Sequence, residues 1–318
     1  MHRIPIGITA RSEARNILAL LGSLGEAVAR ASAELGCAYD LHILLNDSTD
    51  ETPDLLAGIP GVSVWYTTGG IVEAQRLLVE RCGKDAPFLV FSDADILVHR
   101  EALLEISRVM LECPEVEVAY AEKYPISPVR RTPLAKALYL YNLREGYQTT
   151  RHYFNGQFFA IRRWQIPKPR ELRWDPRLDS PFLHLAAGIR TDDTYLAREV
   201  LSRAGPGAIR CLPCGILYRP PETLRGMFRK YQRMRLELER LACYFPQTED
   251  CHQRWGRRPD AARLAAAPLD EKLYYALFHA ALGVCKAAYC AQKIYFTQFA
   301  SRPCPTWSPV VESKERMS

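Results

Sequence analysis

The stretch Phe88-Leu89-Val90-Phe91-Ser92-Asp93-Ala94-Asp95 constrains this chain most. Four apolar residues run into two carboxylates separated by one small residue. A short unbroken apolar run reads as a strand buried on both faces. Side chains alternate along a strand, so Asp93 and Asp95 are expected to point the same way. Two carboxylates crowded on one side repel unless a cation stands near them, and hard oxygen ligands favour Mg²⁺ or Mn²⁺. In open α/β sheets ligands sit at the carboxyl ends of the strands, where this pair falls. The local pattern also admits a plainer reading, a strand end with two solvated Asp residues in a turn.

The flanking chain has the rhythm of an α/β protein. Residues 4–9 read as a first strand, and a polar loop, 10–16, then opens a helix. Ser12 is the expected N-cap, and Leu18, Leu21, Leu24 and Val28 form the expected apolar stripe. Residues 41–45 read as a second strand. It ends in the turn-rich run Asn46-Asp47-Ser48-Thr49-Asp50-Glu51-Thr52-Pro53 before a short helix at Leu55-Leu56. Residues 62–66 read as a third strand, and Gly69-Gly70 opens a helix carrying Ala74, Leu77 and Leu78. The strand ending at Asp93 is the fourth. Strands alternating with helices imply right-handed crossovers and a mainly parallel sheet. A helix over 100–112 and a strand over 117–121 follow. Residues 124–180 read as irregular, apart from a strand-like run at 155–161. Thr191-Asp192-Asp193-Thr194 looks like a loop capping a helix that contains Leu196, Val200 and Leu201, with Asp192 the expected cap. Pro220-Pro221-Glu222 starts a long basic helix, and residues 269–299 form a last helical pattern. The tail from Ser301 is Pro-rich, then charged, and is expected to fray.

Composition limits the function. A chain of 318 residues holds one large or two ordinary domains. With 48% hydrophobic and 25% charged residues, a packed soluble globule is expected. The net charge of +6 and pI near 8.8 suit phosphate-bearing ligands or an anionic membrane surface, and are too weak to indicate nucleic acid. From Arg219 to Arg240 seven Arg or Lys stand against three Glu. The longest stretch of the last helix free of Lys, Arg, Asp and Glu is Leu273 to Cys285, thirteen residues. A membrane span needs ~20, so this helix is expected to dock on the protein or lie at an interface. No secretory leader is visible in the first residues. The ten cysteines, mostly beside apolar residues, are therefore expected to be reduced thiols of a cytoplasmic protein. Cys211-Leu212-Pro213-Cys214 has the spacing of half a zinc site, but no second such pair exists.

Taken together, these stretches resemble the family-two nucleotide-sugar glycosyltransferases of the GT-A fold. The resemblance covers roughly residues 4–240 and rests on five motifs in order. Ala10-Arg11-Ser12-Glu13 is similar to the Ala-Arg-Asn-Glu that opens many members. Asn46-Asp47-Ser48-Thr49-Asp50-Glu51-Thr52 is similar to Asp-Asp-Gly-Ser-Thr-Asp-Gly-Thr, one residue short. Ser92-Asp93-Ala94-Asp95 is the DxD motif. Thr191-Asp192-Asp193 stands in the place of the Glu-Asp pair. Gln232-Arg233-Met234-Arg235-Leu236 is similar to Gln-x-x-Arg-Trp, with Leu236 for Trp. The resemblance implies a GT-A domain over residues 1–240 with a helical extension and Pro-rich tail over 241–318. It implies Mg²⁺ or Mn²⁺ held by Asp95 with Asp93, which faces the metal or the ribose. It places Ala10, Arg11 and Glu13 at the donor nucleotide, where either Asn46 or Asp47 meets the base. Gln232 and Arg235 share a helix face, and Arg235 could fork onto the diphosphate. Gly156 would let a sugar approach the backbone closely, or is a plain turn glycine. Asp193 is the expected general base, because an acceptor hydroxyl needs a carboxylate to take its proton.

The implied activity is inverting transfer from a nucleotide-diphosphate sugar, UDP being the family's commonest donor nucleotide, to an acceptor hydroxyl. Leu236 argues for single transfers, since the Trp belongs to polymerising members. The family often uses lipid-linked acceptors, so contact of residues 225–240 and 269–299 with the inner face of a membrane is an expectation too. Other readings compete. Glu13 could be a solvated first-turn acid, Asp47 a turn residue, and the basic helix a solvated one. A dehydrogenase is disfavoured because no Gly-x-Gly-x-x-Gly follows the first strand. A haloacid-dehalogenase-type phosphatase also places Asp-x-Asp after an apolar strand, but prefers its first strand and a Thr or Val where Leu97 stands. A non-catalytic nucleotide-sugar-binding relative is the alternative outside the enzymes.

Overall fold

Strand β1 (Arg3–Ala10) sits near the middle of an eight-stranded sheet and buries Ile4, Ile6 and Ile8 completely. The chain, seen as a computed structural model, is described over residues 2–148, 153–183, 189–256 and 258–299. The other strands are β2 (Ala38–Asn46), β3 (Val62–Thr67), β4 (Leu89–Asp93), β5 (Ile96–Val98), β6 (Val118–Pro125), β7 (Phe158–Ile161) and β8 (Ile209–Tyr218). The helices are α1 (Ile17–Leu35), α2 (Thr52–Leu56), α3 (Ile71–Cys82), α4 (Ala102–Glu112), α5 (Pro133–Leu143), α6 (Asp192–Ala204), α7 (Leu224–Tyr244), α8 (Asp250–Trp255), α9 (Ala261–Ala266) and α10 (Leu269–Gln298).

The sheet order is β3-β2-β1-β4-β7-β6-β8-β5. Pairings β1·β2, β2·β3, β1·β4 and β6·β8 are parallel, and β4·β7, β6·β7 and β5·β8 are antiparallel. Helices cover both faces. On one, α1 and α4 bury Ile17, Leu20, Leu24, Leu103 and Ile106 in one core with Ile8 and Ile43 of β1 and β2 and Ala119 and Ile216 of β6 and β8. On the other, α3 and α6 bury Val72, Leu78, Leu196 and Val200 against Leu44, Phe91 and Phe159. This is the mainly parallel, helix-flanked sheet expected from the sequence, with a C-terminal helical segment. That segment packs through α10 onto α5 and α7, where Phe278, Cys285 and Tyr289 meet Leu138, Met227 and Leu236. Residue 240, the expected edge of the extension, lies inside α7. The tail from Ser301 lies outside the described residues.

Two features of topology position the site. Strand order reverses between β1 and β4, which opens a crevice at their carboxyl ends. Strand β7 runs against β4, pairing Phe158 with Ser92, so the residues entering β7 arrive beside Asp93.

The structure corrects several expectations. Ser12 does not cap α1; it has φ 56°, and its hydroxyl accepts from the Thr49 amide (3.2 Å). The helix starts after Asn16, so its buried stripe is Ile17, Leu20, Leu24, Ala27 and Ala31, and Leu18 is half exposed. The apolar run Ile17-Leu18-Ala19-Leu20-Leu21 fits either register, and small alanines complete the one used. Strand β5 follows Asp95 directly, ahead of the expected helix. The irregular region holds α5, announced by the Thr132 cap on Ala135 N and by Pro133 in the first turn. Cys211 and Cys214 lie in β8, whose pairing with β6 shifts register between Ala121 and Lys123, the place where Pro213 is tolerated. The nine cysteines of the described residues are free thiols, and no group of three or more His, Cys, Asp or Glu among those residues could hold a metal alone.

Candidate active site

The loop after β1 and the loop after β2 are tied into one unit. Ser12 N donates to Ser48 Oγ (3.0 Å), Glu13 N to Thr52 Oγ1 (2.8 Å) and Ala14 N to Asp50 Oδ2 (3.0 Å). Asp50 also accepts from the Thr52 amide (3.1 Å) and hydroxyl (2.5 Å). Against the cost of burial, these bonds bring its carboxyl below its usual value. The hydroxyl-rich run after β2 is thus largely a clamp. Its Asp47 is the exception: exposed, with φ 48°, at the edge of a cleft of about 350 Å³ lined by Leu45, Ser48, Pro53, Tyr66, Thr67 and Thr68. Asn46 turns inward, where Oδ1 accepts from Gly70 N (3.0 Å). Glu13 is 4% exposed, and its carboxylate accepts from Asn16 Nδ2 (3.2 Å), so it is no solvated first-turn acid. Ala10 is buried at the end of β1, and Arg11 is exposed beside Arg190.

At the end of β4 the burial alternates: Ala94, Ile96 and Val98 face inward, while Asp93, Asp95 and Leu97 share the other side. Asp93 and Asp95 lie close to Asp192 and Asp193 at the start of α6. Desolvation first, then Asp95, Asp192 and Asp193, push the Asp93 carboxyl well above its usual value, and Arg233 pulls it back. Asp192 is buried and accepts from Gln75 Nε2, while Gln75 Oε1 accepts from Trp164 Nε1 (2.8 Å). Asp192 is therefore fixed to α3 and is not the helix cap; Thr191 holds that position without a side-chain capping bond. Burial and the neighbouring Asp193 push Asp192 up to about 7. Asp193 Oδ1 accepts from the Thr194 amide (2.6 Å) and hydroxyl (3.2 Å), and Oδ2 accepts from Gly156 N (3.2 Å).

Gly156 has a different task from the one expected. A Cβ there would stand 2.9 Å from Asp193 Cβ, so the missing side chain makes room for Asp193 itself. Gly156→Ala should cost about 1–3 kcal/mol of stability by overpacking. It should also cut turnover at least as much as it displaces Asp193; unchanged melting temperature and turnover would contradict this placement.

Helix α7 brings its motif in on a different face from the one expected. Gln232 is buried and donates to Gln292 Oε1 of α10 (2.8 Å), Leu236 is buried in the same core, and Arg235 is exposed near Tyr231 and Tyr289. The structure does not bring Gln232 and Arg235 to the carboxylates. Arg233, between them in sequence, is the motif residue that reaches the carboxylates. Arg233 acts on Asp93, and Glu237 and Arg240 form a buried pair (3.0 Å) beside Arg190. The signal was present in the sequence, one residue from Gln232. Asn155 was missed as well. Its Nδ2 donates to Ala121 O (3.1 Å) and its Oδ1 accepts from Gln157 N (3.3 Å), which fixes the entry into β7.

The carboxylates fit a divalent cation. Two same-side Asp residues, crowded by two more, gain from a positive charge between them. Mg²⁺ takes one or two carboxylates and completes its shell with water and substrate phosphates, so a third protein ligand is not required. A larger cleft of about 560 Å³, against Arg76, Trp164, Tyr195 and Glu199, contains none of these carboxylates.

The pH dependence follows from Asp192. Its folded value lies above its unfolded one, so the folded state binds the proton more tightly between about 4 and about 7. This contribution to stability is present in acid and is lost as pH rises through about 7. Asp192→Asn should flatten the fall in melting temperature of the metal-free protein across that window. A parallel fall in parent and variant would contradict it.

No family model and no curated protein matches this chain. Among solved structures it is similar to glucosyl-3-phosphoglycerate synthase from Mycobacterium tuberculosis. The complex with Mn²⁺, UDP-glucose and phosphoglyceric acid is 19% identical and superposes with a TM-score of 0.48 over 75% of this chain and 79% of that chain. The complex with Mg²⁺ and UDP is 18% identical, with a TM-score of 0.49 over 76% and 79%. The likeness is loose in both sequence and superposition.

Proposed function

We propose that this chain is a metal-dependent, inverting glycosyltransferase of the GT-A type. It moves one sugar at a time from a nucleotide-diphosphate donor, UDP-linked by preference, to an acceptor hydroxyl. The observation that carries this reading is the meeting of Asp93, Asp95, Asp192 and Asp193 with Arg233 at the switch point between β1 and β4. Asp93 and Asp95 would hold Mg²⁺ or Mn²⁺, which when bound neutralises charge on the departing diphosphate.

The chain's own residues supply the rest. The cleft between Asp47 and the exposed ring of Tyr66 suits a nucleoside, with Asp47 accepting from a base N–H or a ribose hydroxyl. Arg11, Arg190 and Arg233 give the crevice positive charge toward the diphosphate. Asp193, whose carboxylate accepts from the amides of Gly156 and Thr194, would take the acceptor proton. With metal and leaving group on one side of the sugar and this base on the other, a single displacement inverts the anomeric centre.

A thermal-shift panel of UDP, GDP and dTDP with Mn²⁺ tests the reading, because a ligand of the native state raises its stability. Release of phosphate from sugar phosphates without nucleotide would favour a phosphatase instead. Nucleotide binding without turnover of any nucleotide sugar would favour a binding relative.

No described helix is long and apolar enough to cross a membrane. A lipid-linked acceptor at the inner face of a membrane suits the basic α7 and the outward Leu273, Val284, Ile294 and Tyr295 of α10. Anionic vesicles should then bind the protein at low salt and release it at high salt, at roughly 1 kcal/mol per nearby Lys or Arg. Failure of flotation at low salt would leave the two helices as ordinary core and surface.

A further inference from the structure

We infer that the Gln157 carboxamide binds a hydroxyl of the sugar being transferred and so helps select the donor. The inference rests on the transferase reading. The β4·β7 register runs Leu89 to Ile161 and Ser92 to Phe158, and the next rung joins Asp93 N to Gln157 O (2.8 Å). Residues directly opposed in an antiparallel pair project to the same face, with Cβ atoms roughly 4.5–5.5 Å apart. Gln157 therefore stands beside Asp93. Its neighbour Gly156 touches Asp193. Gln157 thus lies between the metal side of the cleft and the acceptor side, where the sugar passes.

Its backbone is held at both ends, by Asn155 Oδ1 at the amide and by Asp93 N at the carbonyl. Yet among the described residues Gln157 Oε1 is buried with no hydrogen-bond partner, a condition folded proteins rarely leave standing. With a cation bound, Asp93 and Asp95 are ionised and only accept, so they cannot satisfy it. An ionised diphosphate carries no donor either. The attacking acceptor hydroxyl gives its proton to Asp193. The hydroxyls of the donor sugar remain, and a site built to bond one of them discriminates strongly against a donor that lacks it.

The test uses the full-length protein and the isosteric Gln157→Met, with Gln157→Ala as a second variant and melting temperatures as a check of folding. Calorimetry measures Mn²⁺ with the nucleoside diphosphate alone, then with the matching sugar donor from a panel of UDP-, GDP- and dTDP-hexoses. Turnover is compared for that donor and its monodeoxy analogues. Both variants should bind the metal and diphosphate within about twofold of the parent and lose ~10–100-fold in kcat/KM with the sugar donor. One deoxy donor that is poor for the parent should be no worse than the full donor for the variants. Equal loss of diphosphate or Mn²⁺ affinity would make Gln157 a structural or metal-side residue and overturn the inference. Parent-like kcat/KM, or the same deoxy penalty in parent and variants, would overturn it too. A parent that binds no nucleotide sugar in the panel would sink the transferase reading and this inference together.

Discussion

Asp193→Asn lowers kcat by ~10²–10⁴, the usual worth of a positioned general base, and leaves the affinity for the donor nearly unchanged. The carboxylate uses one oxygen for Thr194 and the other for Gly156. Asparagine keeps one acceptor and turns its amide nitrogen toward the other donor, so about 1 kcal/mol of stability goes with it. The melting temperature measures that loss separately from the catalytic one. Asp192→Asn should cost far less turnover. Asp192 is turned toward Gln75 and Trp164, and its raised value already keeps it largely protonated below about 7. The product should carry the anomeric configuration opposite to the donor's. A variant with near-parent kcat, or a product of retained configuration, would remove Asp193 from this role.

Asp95→Ala abolishes the metal response. Turnover should fall by ~10³, as several kcal/mol of charge stabilisation at the leaving group is lost. The folded protein should survive. Removing one of four crowded carboxylates relieves Asp93, so the metal-free variant should melt no lower than the parent and higher at alkaline pH. Mn²⁺ should raise the melting temperature of the parent and not that of Asp95→Ala. In the parent, desolvation and the neighbouring carboxylates raise the Asp93 carboxyl, so Mn²⁺ competes with protons there. Binding therefore releases protons and tightens as pH rises. Full turnover of the parent in EDTA would overturn the metal assignment.

The sheet was legible wherever burial was two-sided. The apolar runs of β1, β2 and β4 and the carboxylates at the end of β4 needed no tertiary knowledge. Three elements were hidden for identifiable reasons. Ile96-Leu97-Val98 is too short to show a period. Pro213 argues against a strand at β8 and is accommodated only because the β6 partner shifts register there. Helix α5 is amphipathic only weakly, and its Thr132-Pro133 start was the readable signal. In the site, carboxylate identity was legible and side-chain direction was not. Which of Asn46 and Asp47 reaches the cleft depends on a positive φ at Asp47 and on the Gly70 amide across β3. Whether 232 and 235 or 233 reaches the carboxylates depends on where α10 docks, because Gln292 and Tyr289 claim the first face. Gly156 read either as a glycine for close approach of a sugar or as a turn glycine, since its contact, Asp193, lies thirty-seven residues away.

The central claim is that Asp93 and Asp95 gather a metal and a nucleoside diphosphate at the β1·β4 crevice. Calorimetric titration of the parent and of Asp95→Ala with UDP, GDP and dTDP, in Mn²⁺ and in EDTA, tests it most directly. The expected result is binding of one of these diphosphates by the parent in Mn²⁺, weakened at least tenfold by EDTA and equally by Asp95→Ala. Equal affinity in EDTA, an undiminished Asp95→Ala, or no binding of any of the three would contradict it.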